Sequence, residues 1–300
     1  MASHLSEETI TSRENKWLKI FRAALRGTGP ADGEPIAVEG PKLVEDALRS
    51  GLQAEALLVS ESGETSALER ILRAAGDSEA GIPRSRVMRT TDKLFASVAG
   101  TETPQGVAAL FTRRAWEFDD VLRGAAGVDG ALRGDAALVV VMAAVQDPGN
   151  VGTIVRSAEA FGATGVVTTR GSADPWSPKG LRASAGSGLR FPVLRGMAIP
   201  VLLAQLRVAG VKIVAASSHS AGVAAAGADA AADLREAVAI FIGNEGAGLP
   251  AEIEHAAEGR ISIPMSAGVE SLNAGVAASV VLYEAARQRK GFTTDDTDKS

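Results

Sequence analysis

Two α/β units, the second built on a parallel sheet, are predicted by three features of this 300-residue chain. Short apolar runs alternate with stretches whose apolar residues recur at helical spacing over residues 31–113. From residue 137 the apolar runs lengthen into strands that read as buried on both faces. Aromatic residues make up only 4% of the chain while Gly and Ala abound, which favours close packing of helices on sheets. With 46% hydrophobic and 22% charged residues, a sizeable core is expected.

Taken in order, residues 1–30 read as a basic helical extension. Residues 31–113 form a small α/β domain, with strands in "PIAVEG", "ALLVS", "SRVMRT" and "GVAALFT" and helices in "PKLVEDALRSG" and "TSALERILRAAG". Residues 114–136 mix charge with Gly, lack a clear period and read as a linker. Residues 137–290 form the second domain. Its strands are "AALVVVMAAV", "GVKIVAAS" and "AVAIFIGN", each followed by loop residues and a helix. The acidic stretch 291–300 reads as a disordered tail.

The absence of cysteine excludes disulfides, thiolate metal sites and cysteine nucleophiles, and fits a reducing compartment. No signal-like N-terminus is present, and no apolar run approaches the roughly 20 residues of a membrane helix. The expected location is the cytoplasm, with no membrane partner. The net charge of −5 conceals two basic patches. Over residues 1–30, Arg13, Lys16, Lys19, Arg22 and Arg26 outweigh three acidic residues. Over residues 170–195, Arg170, Lys179, Arg182, Arg190 and Arg195 face only Asp174. Either patch serves as a solvated face; the second, interleaved with Gly, Ser, Pro and Trp176, also suits a flexible loop that contacts phosphates.

Three stretches of the second domain carry polar residues that packing alone does not require. In "QDPGNVGTIVRSAEAFGATGVV" a strand ends at a Pro-Gly turn and Asn150 stands at the start of a helix, where an N-cap is its ordinary role. Arg156 follows among Val151, Ile154, Val155, Ala158 and Phe161 and reaches either solvent or a site at the strand ends. In "FIGNEGAGLP" three glycines after a strand let backbone approach a ligand closely. That loop lacks the GxxxxGK[ST] lysine and the GxGxxG spacing, and Glu245 at its centre would repel a pyrophosphate. In "AGVESLN", Ser271 or Asn273 serves as N-cap of the last helix, which leaves the other unexplained.

In this order and spacing, "NVGTIVRSAEAFGA", "IGNEGAGL" and "ISIPMSAGVESLNAGVAASVVLYEAARQR" resemble the motifs of the SpoU/TrmH family of RNA ribose 2′-O-methyltransferases, part of the SPOUT superfamily. The resemblance covers about residues 137–290. "AVEGPKLVEDAL" and "TETPQGVAALF" look like the RNA substrate-binding domain that many members carry before the catalytic one. The family's fold implies a C-terminal trefoil knot, which no periodicity reveals. The knot forms the S-adenosylmethionine pocket, and no metal is involved. By resemblance, cofactor contacts fall on Gly243, Ile263 and Leu272, with Asn244 and Ser217 added. Asn150, Arg156, Glu245, Ser271 and Asn273 surround the reacting ribose. Lys179, Arg182 and Arg190 are candidates for gripping RNA, or for serving a homodimer formed through the knotted domain.

In the family the arginine of the first motif acts on the 2′-hydroxyl. Because a guanidinium holds its proton, Arg156 fits a phosphate partner and oxyanion stabiliser better than a general base. Glu245 either holds its loop by bonding to loop amides or Asn273, or faces Arg156. The substrate-binding domain points to ribosomal RNA, most readily that of the large subunit, over transfer RNA. A dinucleotide oxidoreductase is disfavoured by the missing GxGxxG. A catalytically silent RNA-binding protein of the same fold is disfavoured because all five catalytic positions are filled.

Overall fold

The computed structural model describes residues 8–63, 69–71, 73, 86–124, 136–217, 233–266 and 271–290. The chain divides into two compact units. One runs to Ala115 and takes in Asp174–Arg190; the other comprises Trp116–Ala173 and the chain from Phe191 onward.

The first unit is a five-stranded mixed sheet. Its strands are β1 (Glu8–Ile10), β2 (Ile36–Glu39), β3 (Ala54–Ser60), β4 (Val87–Thr90) and β5 (Val107–Phe111), in the order β1-β4-β3-β5-β2. β5 runs antiparallel to both its neighbours, while β1, β4 and β3 are parallel. Helices α1 (Lys16–Arg26), α2 (Pro41–Arg49) and α3 (Asp92–Val98) belong to the same unit. α1 forms because Leu18, Phe21 and Leu25 recur at helical spacing. They pack with Phe95, Val98, Leu58, Met88 and Leu110 in one core.

This corrects the expectation of a basic extension over residues 1–30. β1 pairs with β4, and α1 is part of the core. Two of its cations are also consumed structurally. Arg22 donates to Ser97 O, and Arg26 donates to Ala96 O and Ala99 O. The carbonyls at the end of α3, which have no partner within the helix, are thereby satisfied.

Asp174–Arg190 is also more ordered than a flexible cationic loop. It forms α4 (Pro178–Ala183) and α5 (Ser187–Arg190), with Ser177 accepting from Gly180 N as a cap. Trp176 is buried, donates from Nε1 to Gly188 O at 2.9 Å, and lies 4.5 Å from the Arg113 guanidinium. The serines that made this stretch look loop-like instead cap and buttress short helices.

The second unit holds β6 (Leu138–Met142), β7 (Gly165–Thr169), β8 (Val193–Met197), β9 (Lys212–Ser217), β10 (Val238–Ile242) and β11 (Gly259–Ser262) in one parallel sheet, ordered β11-β9-β10-β6-β7-β8. Its helices are α6 (Phe118–Arg123), α7 (Pro148–Ala160), α8 (Ile199–Val208), α9 (Ala251–Ala256) and α10 (Ala274–Lys290). Val121 of α6, Leu202 and Leu206 of α8 and Ile253 of α9 pack with Val139, Val141, Val167, Ile213, Ala239 and Phe241. α7 packs against α10. The expected linker 114–136 thus contains α6, seated on β7 so closely that Gly165 has no room for a Cβ beside Val121. Its six-residue helix is too short to show a period. Residues 125–135 of that linker and the 291–300 tail lie outside the described residues, as does most of the helix expected in "TSALERILRAAG".

The sheet reverses direction of growth between β6 and β10. β7 and β8 extend one side, and the chain then returns to lay β9 and β10 on the other. Ligand crevices of parallel sheets lie beyond the carboxyl ends of strands at such a point.

At the opposite strand ends, Arg289 of α10 donates to four carbonyls. Ala136 O and Ala137 O precede β6, and Leu234 O and Glu236 O precede β10. Its burial disfavours the charged form and lowers its pKa. Arg289→Ala leaves these acceptors without their cation and should lower the unfolding free energy by about 2–4 kcal/mol. Urea denaturation reads this directly, and an unchanged midpoint would show that the clamp contributes nothing.

Candidate active site

The carboxyl ends of β6 and β10 are closed by loops whose geometry starts with asparagine. Asn244 follows β10 and accepts on Oδ1 from Gly246 N and Ala247 N at 2.9 and 3.0 Å. Its backbone pairs in both directions with Gly248, at 3.1 and 2.9 Å. Its Nδ2 donates across to Ala144 O at 3.0 Å, just beyond β6, where Ala144 itself has a φ of 56°. Asn244 therefore holds the glycine loop and ties it to the neighbouring strand. Glycine is required at 243: a Cβ there would lie 2.6 Å from the carbonyl carbon of Gly248 and 2.9 Å from Leu249 N.

Asn150 is not the cap of α7. Asp147 is, accepting on Oδ1 from Gly149 N at 2.6 Å and Asn150 N at 3.0 Å, with Pro148 in the first helical turn. The Asn150 side chain is left to bond elsewhere. Its Nδ2 donates to Glu245 Oε1, and its Oδ1 accepts from Asn273 Nδ2 at 2.8 Å. Asn273 is the residue at the head of α10 that accepts from Gly275 N and Val276 N, at 2.9 and 3.2 Å. The choice between Ser271 and Asn273 falls to Asn273. Glu245 does not hold the loop amides; that role belongs to Asn244.

Beside this chain of side chains lies a pocket of about 300 Å³. Ile242, Gly243 and Asn244 line it from the end of β10, Ile261 and Ile263 from β11 and beyond, and Leu272 from the approach to α10. Ala274, Ala277 and Val281 of α10 present one helical face to it. Glu245 and Ser271 also reach it. Gly243, Asn244, Ile263 and Leu272 thus share one cavity. At the end of β9 the lining residue is Ala216; the side chain of Ser217 lies outside the described residues.

Arg156 is not joined to this cluster. It is exposed and makes no hydrogen bond or ion pair among the described residues. Six residues at ~100° each place it about 120° around α7 from Asn150. Toward α10 the helix presents Ser157, whose hydroxyl lies 2.7 Å from that of Ser279. Lys179, Arg182 and Arg190 all belong to the first unit, with Lys179 and Arg182 exposed. Among the described residues no group of His, Asp or Glu could hold a metal ion.

Sequence reasoning passed over Asp147, although Asp before Pro at the start of a helix is a start signal. It also missed the pocket positions of α10, where small side chains show no contrast with the rest of the helix.

Comparison with known proteins accounts for both units. Residues 137–283 match the SpoU rRNA Methylase family, and residues 33–109 match the MRM3-like substrate binding domain. The 23S rRNA (guanosine(2553)-2′-O)-methyltransferase RlmP of Bacillus subtilis is 31% identical over 275 residues, covering 91% of this chain and 97% of its own. The chain belongs to the SpoU methylase family.

An uncharacterized tRNA/rRNA methyltransferase of Synechocystis is 30% identical over 95% of this chain and 96% of its own. Among solved structures, the AdoMet-bound rRNA methyltransferase from Sinorhizobium meliloti superposes with a TM-score of 0.73 at 28% identity, covering 93% and 97% of the two chains. The SpoU methyltransferase AviRb from Streptomyces viridochromogenes, in complex with AdoMet, gives 0.74 at 25% identity, covering 93% and 100%. As a SpoU-family protein the chain is an RNA methyltransferase, and the pocket occupies the part of the family match rich in polar motifs.

In this SpoU-family site, Gly243→Ala cannot be accommodated by a side-chain rotation, because the obstacle is backbone. The expected result is loss of the Asn244–Gly248 pairing, seen as faster amide hydrogen exchange at both residues. Unchanged exchange would mean that the close approach of the loop is dispensable.

Proposed function

We propose that the protein methylates a ribose 2′-hydroxyl in RNA, with S-adenosylmethionine as donor and large-subunit ribosomal RNA as substrate. The observation that carries this reading is the Asn273–Asn150–Glu245 chain at the edge of a pocket formed by the glycine loop and the head of α10. The pocket suits the donor: Ile242, Ile261, Ile263, Met265 and Leu272 provide an apolar bed for a nucleoside, and Glu245 provides an anion for a positively charged ligand. Bound against Gly243, Ile263 and Leu272, S-adenosylmethionine would supply an activated methyl group on its sulfonium, for transfer to the ribose oxygen with the neutral thioether as leaving group and the hydroxyl proton released to water.

The protein's part is alignment, which can supply about 7–11 kcal/mol. Gly243 admits the ligand against backbone, while Asn150 and Ser271 offer hydrogen-bonding groups at the place where the ribose would enter. Arg156 pairs with the phosphate beside the target ribose and stabilises negative charge developing on its oxygen.

The proposed assembly is a homodimer through the second unit. Val276, Val280 and Tyr283 form an exposed stripe on α10, at 50%, 42% and 59% exposure. That helix packs against α7, the helix that carries Arg156. A two-fold contact along this stripe would let Arg156 of one subunit serve the pocket of the other. The family's trefoil knot fits a pocket assembled from the loop after β10, the strand-end segment around Ile263 and the head of α10. Ribosomal RNA is favoured by the substrate-binding match and by the relative that acts on 23S rRNA. A cytoplasmic site of action follows from that substrate; among the described residues no helix is long and apolar enough to cross a membrane.

Nucleoside mass spectrometry of ribosomal and transfer RNA, from cells with and without the gene, should show loss of one 2′-O-methyl ribose from large-subunit RNA. A loss confined to transfer RNA would move the substrate, and binding of S-adenosylmethionine with no methyl transfer to any RNA would overturn the enzymatic reading. Arg156→Ala should lower turnover by about 10²–10³-fold with little change in cofactor affinity. Near-normal turnover would remove Arg156 from the reaction. Glu245→Gln separates its roles: a large fall in turnover at constant cofactor affinity marks its charge as essential, and full activity marks the hydrogen bond alone.

A further inference from the structure

The cations of α1 do not all serve the fold. Arg22 and Arg26 are held by carbonyls at the end of α3, and Lys19 pairs with Glu14 at 2.6 Å. Lys16 is left over, and its ammonium lies 5.6 Å from the centre of the Trp17 ring. Arg86, just before β4, places its guanidinium 5.7 Å from the same ring and, among the described residues, is otherwise bonded only to Glu55 O. Neither cation pairs with a carboxylate among the described residues, and nor does Arg13, a few residues before Trp17. Trp17 itself is half-buried. It leans on the core that Leu18, Phe21 and Leu25 already fill, and Ile20 beside it is 39% exposed.

An indole with two uncompensated cations within cation–π distance combines the two elements that bind unpaired RNA. These are an aromatic surface for a base and positive charge for the flanking phosphates. A protein partner of the same face would need carboxylates for the same cations. The proposed reaction already brings RNA to this protein, and the phosphates of RNA supply that charge.

The geometry points to Trp17, Lys16 and Arg86 as a docking site for an unpaired segment of the substrate RNA, on the first unit and separate from the methyl-transfer pocket. This rests on the reading of the protein as an RNA methyltransferase. The site anchors RNA and takes no part in methyl transfer.

The test uses the full chain and a fluorescein-labelled, mixed-sequence 12-nucleotide single-stranded RNA, with anisotropy measured over a range of KCl concentrations. S-adenosylmethionine affinity is measured on each variant by calorimetry. Lys16→Gln and Arg86→Gln should each reduce the slope of log affinity against log salt by about 0.7, the share of one phosphate contact. Trp17→Leu should weaken binding about tenfold with the slope unchanged. The two charge variants alter exposed positions and keep the test valid if Trp17→Leu fails to fold. Wild-type affinity and slope in both charge variants would overturn the docking site while leaving the methyltransferase reading intact. Equal competition by a duplex of the same sequence would overturn its preference for unpaired RNA. A wild-type protein that binds S-adenosylmethionine but neither binds nor methylates RNA would overturn both readings together.

Discussion

The side-chain amide of Asn273 is bound by two demands at once, and the polar side of the pocket is oriented by them. The backbone N–H groups at the start of α10 need an acceptor, so Oδ1 must face the helix. Nδ2 then points outward as a donor, and Asn150 must meet it with oxygen. The remaining Nδ2 of Asn150 can only donate, which selects the carboxylate Glu245 as its partner. Donors thus run in one direction, from a helix N-terminus through two amides to an anion. Each amide orientation is assigned by the group before it, and a reversed amide at any point would set donor against donor.

The strand runs of both units could be placed from the amino-acid pattern because burial on two faces leaves uninterrupted apolar stretches such as Leu138–Met142 and Val238–Ile242. Where an element was missed, its signal was short or was shared with another explanation. α6 has one buried residue, Val121, and therefore no period to detect. α1 shows clear spacing of Leu18, Phe21 and Leu25, but its positive charge drew attention to solvent when the deciding contacts were the carbonyls at the end of α3.

The site was visible as three polar stretches and as family motifs, yet local sequence could not assign individual bonds. Asn150 lies 95 positions from Glu245 and 123 from Asn273, and the pairing between them is a property of the sheet order. Capping roles were accordingly misallocated. Asn150 occupies the first turn of a helix that Asp147 already caps, and Glu245 sits in a loop that Asn244 already holds. In both cases a neighbour took the structural task, and the residue itself was left to bond across elements.

The clamp made by Arg289 has a consequence for how the second unit is completed during synthesis. Two of its acceptors lie 152 and 153 positions earlier in the chain, at the entrance to β6. Contacts of such separation form late, after the intervening chain has surrendered its freedom. While the chain is emerging from the ribosome, β6 and β10 can pair but their leading carbonyls must remain hydrated until residue 289 arrives. The unit that carries the candidate pocket is therefore finished by nearly its last helical turn, and an interrupted translation product would lack the cation that closes it.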